Sequence, residues 1–247
     1  MKILLIFILG CLSCNQKNEN FRKLNTSTNG NFGVMVFTET KGFVHGEAIK
    51  EGIQLITNLG INNNFNVYQS NLSEDINEEN LKKVNSVIFL CTTLNVLNET
   101  EQVVMQNFIR NGGGYLGIHS AADTEYEWEW YGGLVGGYFK SHPKIQSAKI
   151  ITTETNHIAT AHLEKSWEIE DEWYNYKDFN PEINVLLYLD ESSYVGGENG
   201  DYHPITWFHE YDGGRSFYTG LGHKASTYYD ERFIELLKGG IYYVSTY

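Results

Sequence analysis

After residue 31 the apolar positions fall into short runs separated by polar, glycine-containing breaks. Residues 32–37 (FGVMVF), 86–90 (SVIFL) and 115–118 (YLGI) are nearly unbroken apolar runs. That is the pattern of strands buried on both faces rather than of strands with one wet side. Between them the period changes. Ile49, Ile53 and Ile56 recur at helical spacing, with Gly60 as the expected stop. Residues 65–68 predict a further strand and residues 78–83 a short helix. Asn98, with Glu101 three places on, predicts a capping box opening a helix that carries Val104 and Phe108 and ends at the glycines 112–114. Strands that alternate with helices predict a parallel sheet covered on both faces.

The second half reads differently. Residues 149–153, 185–189, 205–210 and 215–219 have strand character, and Asp212-Gly213-Gly214 between the last two predicts a hairpin turn. Residues 233–243 predict a closing helix. No internal repeat and no linker interrupts the chain after residue 31, so one domain is expected over 32–247.

Residues 1–14 (MKILLIFILGCLSC) stand apart. Their apolar run is too short to cross a membrane as a mature helix and reads as an export signal. Cys11 and Cys14 each close a stretch resembling a bacterial lipoprotein signal, so one of them is the expected lipidation site. The polar segment 15–31 is then a flexible tether. The expectation is an exported, membrane-anchored lipoprotein facing the periplasm or cell exterior. Only Cys91 remains in the mature domain, which leaves no internal disulfide.

Net charge and aromatic content narrow the function. At −13 the chain is a poor match for nucleic acid or an anionic membrane surface, both of which call for basic patches. Seventeen tyrosines and five tryptophans supply flat apolar faces with polar tips, suited to sugar recognition.

Open parallel sheets collect ligands beyond the carboxyl ends of their strands. His119 and Ser120 follow the strand at 115–118, residues 40–45 follow the first strand, and Thr92 and Thr93 follow the strand at 86–90. One polar cleft is therefore expected around His119. His119, Asp123 and His142 are its expected catalytic centre, since imidazole titrates near neutrality and carboxylates serve as acids or bases. Glu125 and Glu172 are further acid/base candidates. Imidazole and carboxylate donors also suit a divalent ion such as zinc, with His119 and His142 as its expected ligands. His45 and His223, with Trp128, Trp130, Tyr131 and Trp173, are expected to bind substrate, the rings stacking on a sugar. His209 and Glu210 belong to the wider set of donors considered, and Lys140 is left open.

Five stretches carry a family resemblance: TKGFVH (40–45), GGGYLGIHSAADTEYEWEWYGGLVGGYFKSHP (112–143), DEWYNY (171–176), LDESSYVGG (189–197) and HPITWFHEYDGGRSFYTGLGH (203–223). Together they resemble the ThuA-like family, named for trehalose utilisation, whose fold is similar to class I glutamine amidotransferases. The resemblance implies a flavodoxin-like three-layer α/β sandwich with a mostly parallel central sheet, and a role in disaccharide or keto-sugar metabolism. Amidotransferases place a reactive Cys in a G-x-C-x-G turn after a central strand. Here Gly117-Ile118-His119-Ser120-Ala121 occupies that turn, with His119 at the Cys position, so a Cys-dependent amidotransferase is not expected. The small-molecule partner implied is a sugar or keto-sugar. The alternative is a non-catalytic carbohydrate-binding lipoprotein.

Overall fold

The computed structural model describes residues 21–24, 30–153 and 156–246. The expected signal segment, with Cys11 and Cys14, lies outside the described residues. In chain order the elements are β1 (Arg22–Lys23), β2 (Gly33–Phe37), α1 (Gly46–Asn63), β3 (Asn66–Ser70), α2 (Glu78–Leu81), β4 (Ser86–Leu90), α3 (Glu99–Arg110), β5 (Gly114–Ile118), α4 (Glu129–Val135), β6 (Tyr138–Ser141), β7 (Gln146–Thr152), β8 (Ser166–Asp171), β9 (Asn175–Lys177), β10 (Asn184–Asp190), β11 (Pro204–Tyr211), β12 (Gly214–Thr219) and α5 (Glu231–Ser245).

The three apolar runs form the parallel centre of one large sheet. Strand order is β1-β3-β2-β4-β5-β12-β11-β10-β7-β8. β3, β2, β4, β5 and β12 run parallel. Every residue of β2, β4 and β5 is buried, as their unbroken apolar pattern requires. On β5, Leu116 faces Gly240 of α5, where an added Cβ would meet the Leu116 side chain. Tyr115 points to the opposite face and packs edge-on against Tyr131 of α4 at 5.8 Å. α1 shares the α5 face, since Gly52 approaches Leu90, whose register partner is Ile118. α3 shares the α4 face through Ile109 against Gly214. The result is the expected three-layer α/β sandwich.

Beyond β12 the sheet continues antiparallel through β11, β10, β7 and β8. Asp212 (φ 47°) and Gly213 (φ 96°) make the β11–β12 hairpin turn. β6 and β9 form a separate two-stranded sheet. The pattern did not mark β6, β8 or β9. β8 alternates buried and exposed positions over a short polar run, and β6 and β9 are four and three residues long.

Two further differences are local. α1 runs through Gly60 and ends at Asn64 in the left-handed conformation (φ 55°), where Phe65 donates its N–H back to the Gly60 carbonyl. Asn is the residue besides glycine that enters that conformation most readily. The Asn98–Glu101 capping box forms as expected. Arg22 and Lys23, within the segment expected as a tether, pair with Gln69 and Tyr68 of β3. Among the described residues no helix is long and apolar enough to cross a membrane.

Candidate metal centre

The site is built at the carboxyl ends of the parallel strands. β5 ends at Ile118, and His119 turns sharply with a left-handed φ of 51°. A non-glycine residue held there is strained, and such strain persists only where surrounding contacts enforce it. Here His119 is fully buried, its carbonyl accepts from the Tyr218 hydroxyl at 2.8 Å, and its ring lies 4.3 Å from that of Tyr174. His45 ends the loop after β2 and immediately precedes α1. That loop is tied to the one after β4, where Lys41 N–H reaches the Thr93 carbonyl and Gly42 N–H reaches Thr93 Oγ1, both at 3.0 Å. His223 follows β12 through Gly222, whose φ of 114° only glycine adopts without strain.

Glu172 arrives from an unexpected direction. It follows β8, which lies at the edge of the sheet, five places from β5. Asp171, at the end of β8, clips that edge to the loop after β12. Its Oδ1 accepts from the backbone N–H groups of Glu172 and Lys224, and its Oδ2 from Gly222 N–H and the Thr227 hydroxyl, all at 2.9–3.0 Å. The antiparallel half of the sheet therefore curls back over the carboxyl ends of the parallel half.

The rings of His45, His119 and His223 form a nearly equilateral triangle. Their centroids are 4.9, 5.0 and 5.1 Å apart, with planes inclined by 76–88°. Glu172 completes the group, and one donor atom from each of the four residues lies within 4.8 Å of the others. Three of these contacts are tighter. His223 Nδ1 lies 3.2 Å from both His119 Nε2 and Glu172 Oε2, and those two atoms are 3.4 Å apart. Ligands about 2.0–2.1 Å from a tetrahedral ion stand about 3.4 Å from one another.

Hydrogen-bond bookkeeping points the same way. His119 Nδ1 lies 3.0 Å from the Gly220 carbonyl and must donate to it, so in the neutral imidazole Nε2 is a bare lone pair. That lone pair and the Glu172 Oε2 lone pairs face each other, with one N–H of His223 to share. A cation between them, a proton or a metal ion, would satisfy both. An imidazole whose second nitrogen donates to a backbone carbonyl is the usual arrangement of a metal-ligating histidine.

The electrostatics suit metal ligation. Burial, reinforced by the neighbouring imidazoles of His119 and His223, pushes His45 down to about 3 and keeps it neutral. Burial opposes ionisation of Glu172, but when the cluster carries a proton the bonds Glu172 accepts from the His119 and His223 imidazoles outweigh burial and hold the carboxyl well below the usual range. Burial lowers His223 while its bond to Glu172 raises it, and the net is upward.

The four-residue set revises the ligands expected from sequence. His119 belongs to it, and so do His45 and His223, expected as substrate contacts, and Glu172, expected as an acid or base. His142 does not. It sits outside Glu172, its Nδ1 3.2 Å from Oε1 and 2.9 Å from the Pro143 carbonyl, with its side chain 44% exposed. Asp123 is half-buried beside the group, burial raises its pKa, and its Oδ1 accepts from the Tyr126 hydroxyl at 2.6 Å.

The aromatic residues expected over the cleft are mostly elsewhere. Tyr131 is fully buried and donates to the Ala121 carbonyl, and Trp173 is fully buried with its indole N–H on the Gln146 carbonyl. Neither exposes a face on which a sugar can stack. Trp130 reaches Asp212 in the β11–β12 turn and stacks on Trp128 at 4.8 Å, at the opposite end of the strands from His119. Glu125 is also internal. Its carboxylate accepts from the N–H groups of Val96 and Leu97 and from Gln102, so it braces the loop after β4. His209 bonds to the Gly133 carbonyl, and Lys140 pairs with Glu198. Cys91 is buried against Gly222 and Tyr228, and burial pushes its thiol up to about 12, which rules it out as a thiolate nucleophile near neutrality. The sequence reading missed Asp171. Its position directly before Glu172 in a polar-aromatic stretch is the one signal that marks it.

A doubly wound α/β fold with a three-histidine, one-carboxylate cluster at its strand ends defines the class. The family model for ThuA, described as trehalose utilisation, matches residues 33–244, and the chain belongs to that family, a family of carbohydrate metabolism. Solved structures agree in fold. A ThuA-like protein from Bacteroides uniformis superposes with a TM-score of 0.76 at 21% identity, covering 90% of this chain and 94% of that one. A second, from Parabacteroides merdae, gives 0.70 at 16% identity, covering 87% and 90%. A β-galactosidase from Bacillus circulans gives 0.55 at 11% identity, covering 85% of this chain and 30% of that chain. No curated protein matches the chain.

Proposed function

We propose that His45, His119, Glu172 and His223 hold one divalent metal ion, and that the protein is an exported enzyme acting at that ion on a sugar or keto-sugar. The observation that carries the proposal is the pair of opposed lone pairs on His119 and Glu172, which calls for a cation. The donor set of imidazoles and one carboxylate suits zinc or a neighbouring first-row ion. Such an ion supplies Lewis acidity toward a carbonyl or hydroxyl oxygen and acidifies bound water.

The protein's own groups have separate tasks. The His119–Gly220 bond fixes the tautomer that presents Nε2 to the centre. His142 holds Glu172 Oε1, so Oε2 remains turned inward. Asp123, whose pKa burial raises, is placed to hold or release a proton beside the group, with Tyr126 anchoring one oxygen. The sugar assignment rests on the family's description. The export assignment rests on residues 1–14.

The test is turnover. Purified protein supplied in turn with zinc, manganese, iron(II) and nickel is incubated with trehalose and with keto-derivatives of disaccharides, and products are followed by mass spectrometry. Metal-dependent product that disappears in Asp123→Asn supports the enzyme. Sugar binding with no turnover under any metal favours a non-catalytic sugar-binding protein.

A further inference from the structure

Buried groups build the metal centre, but one side of its rim is neither buried nor polar. Phe43 is 68% exposed, Val44 60% and Leu94 42%. The ring of Phe43 stands edge-on to that of His45 with centroids 4.8 Å apart, so the patch begins where the centre ends. Exposed apolar side chains placed singly need no explanation, whereas a cluster against a functional site does.

The patch is held rigidly. Thr40 and Thr93 form a parallel bridge, and Thr93 Oγ1 donates to the Phe43 carbonyl at 3.3 Å. Gly46 N–H reaches the Val44 carbonyl at 2.9 Å. Leu94 is fixed from both sides, its N–H on the Asp123 carbonyl at 2.7 Å and its own carbonyl accepting from Glu125 N–H at 3.2 Å. It is held in the left-handed conformation with φ 59°, a costly state for a branched side chain. Gly42 lies beneath it, and an added Cβ there would come within 3.0 Å of the Leu94 side chain. A strained leucine and a phenylalanine are thus both kept in water within a lattice of backbone bonds.

We propose that Phe43, flanked by Val44 and Leu94, is a sugar-stacking platform beside the metal centre, and that it takes the second ring of a two-ring glycoside whose first ring lies at the metal. This rests on the sugar reading above and adds to it the side chain that would hold the second ring and so the orientation of the substrate. A pyranose ring has a C–H face that packs on an aromatic ring and hydroxyl edges that remain in water, which matches an exposed ring at the margin of a polar centre. The platform also fills the place for which Trp128, Trp130, Tyr131 and Trp173 were expected, all of which are engaged elsewhere.

The test compares a two-ring and a one-ring probe. Trehalose and methyl α-glucoside are titrated by calorimetry into the full-length protein carrying its metal, into Phe43→Ala, into Phe43→Trp and into Leu94→Ser. Metal content is measured on each sample, so that loss of the centre is distinguished from loss of the platform. The expected result is trehalose affinity lowered at least about fivefold in Phe43→Ala, retained in Phe43→Trp, and methyl α-glucoside affinity unchanged in both. Leu94→Ser should weaken trehalose in the same direction. Equal trehalose affinity in wild type and Phe43→Ala overturns the platform and leaves the sugar reading standing. Failure of the metal-loaded wild type to bind either glycoside overturns both. A wild-type dimer that Phe43→Ala converts to monomer, with sugar affinity unchanged, shows that the patch covers a second copy and overturns the platform.

Discussion

Burial keeps the His45 imidazole in the neutral form that a metal ion would bind. It is 7% exposed and surrounded by two other imidazoles, which pushes its pKa down to about 3. Its neutral form is therefore the native one across the physiological range, and neutral imidazole is the ligating form. The consequence for stability has a definite sign. An unfolded His45 binds a proton near 6.5 and the folded one only near 3, so the metal-free fold loses stability as pH falls below 6.5. His157, lowered to about 4 by burial, acts in the same direction. Urea unfolding of metal-free protein between pH 6.5 and 4.5 should show stability rising with pH, and His45→Gln should reduce that slope by up to one proton. An unchanged slope would mean that His45 protonates freely in the fold. His223 has the opposite shift, raised by Glu172 despite burial. A proton there must leave before the imidazole can ligate, so zinc affinity should climb as pH rises past 6.5 and flatten above the raised value, as competition titrations would report.

At the scale of elements, the decisive piece is the Asp171 clip. Four bonds from one carboxylate tie the end of β8 to the loop after β12, so Glu172 and His223 take their positions from the same group. Asp171→Ala leaves several buried donors without acceptors. It should cost about 2–4 kcal/mol in chemical denaturation, and it should weaken metal binding more than Asn98→Ala does, although that substitution removes the α3 cap at a cost of about 1 kcal/mol. Comparable metal affinity in the two variants would show that the clip serves folding alone. The clip also marks where sequence reading reached its limit. β2, β4 and β5 were legible because each is apolar throughout, and a strand-end site at His119 follows from that. The hairpin at Asp212-Gly213 and the capping box at Asn98 were legible from local turn and cap chemistry. Glu172 was visible as a residue but not as a neighbour of His119, because its placement depends on how far a twisted sheet of ten strands curls. The tryptophans misled for a related reason. Composition shows that large rings are present, while burial of Trp173 and the Trp130–Asp212 bond are decided by packing.

Across the whole molecule, the sheet joins a parallel part to an antiparallel part. The parallel half supplies His45 and His119 from its loops, the hairpin strand β12 supplies His223, and the far edge of the antiparallel half supplies Glu172. A metal bound by all four cross-links these parts in the folded state only, so it should stabilise the fold by mass action, by about 2.7 kcal/mol at free metal one hundred times Kd. Thermal unfolding with and without chelator should show that gain, and Glu172→Gln should abolish most of it when each protein is compared with its own metal-free melting temperature. The net charge of −13 favours cation approach in general, so raised affinity for cations at large is not the diagnostic quantity. The diagnostic quantity is stoichiometry and its dependence on the four named side chains. The most direct measurement is therefore metal content and zinc affinity, by elemental analysis and calorimetry, of wild-type protein prepared without chelator or histidine tag, beside His119→Ala and Glu172→Gln. The account predicts one equivalent of tightly bound metal in the wild type, and affinity weakened at least about a hundredfold in each variant. A wild type that binds no divalent ion with one-to-one stoichiometry, or variants that bind it equally well, would contradict the metal centre.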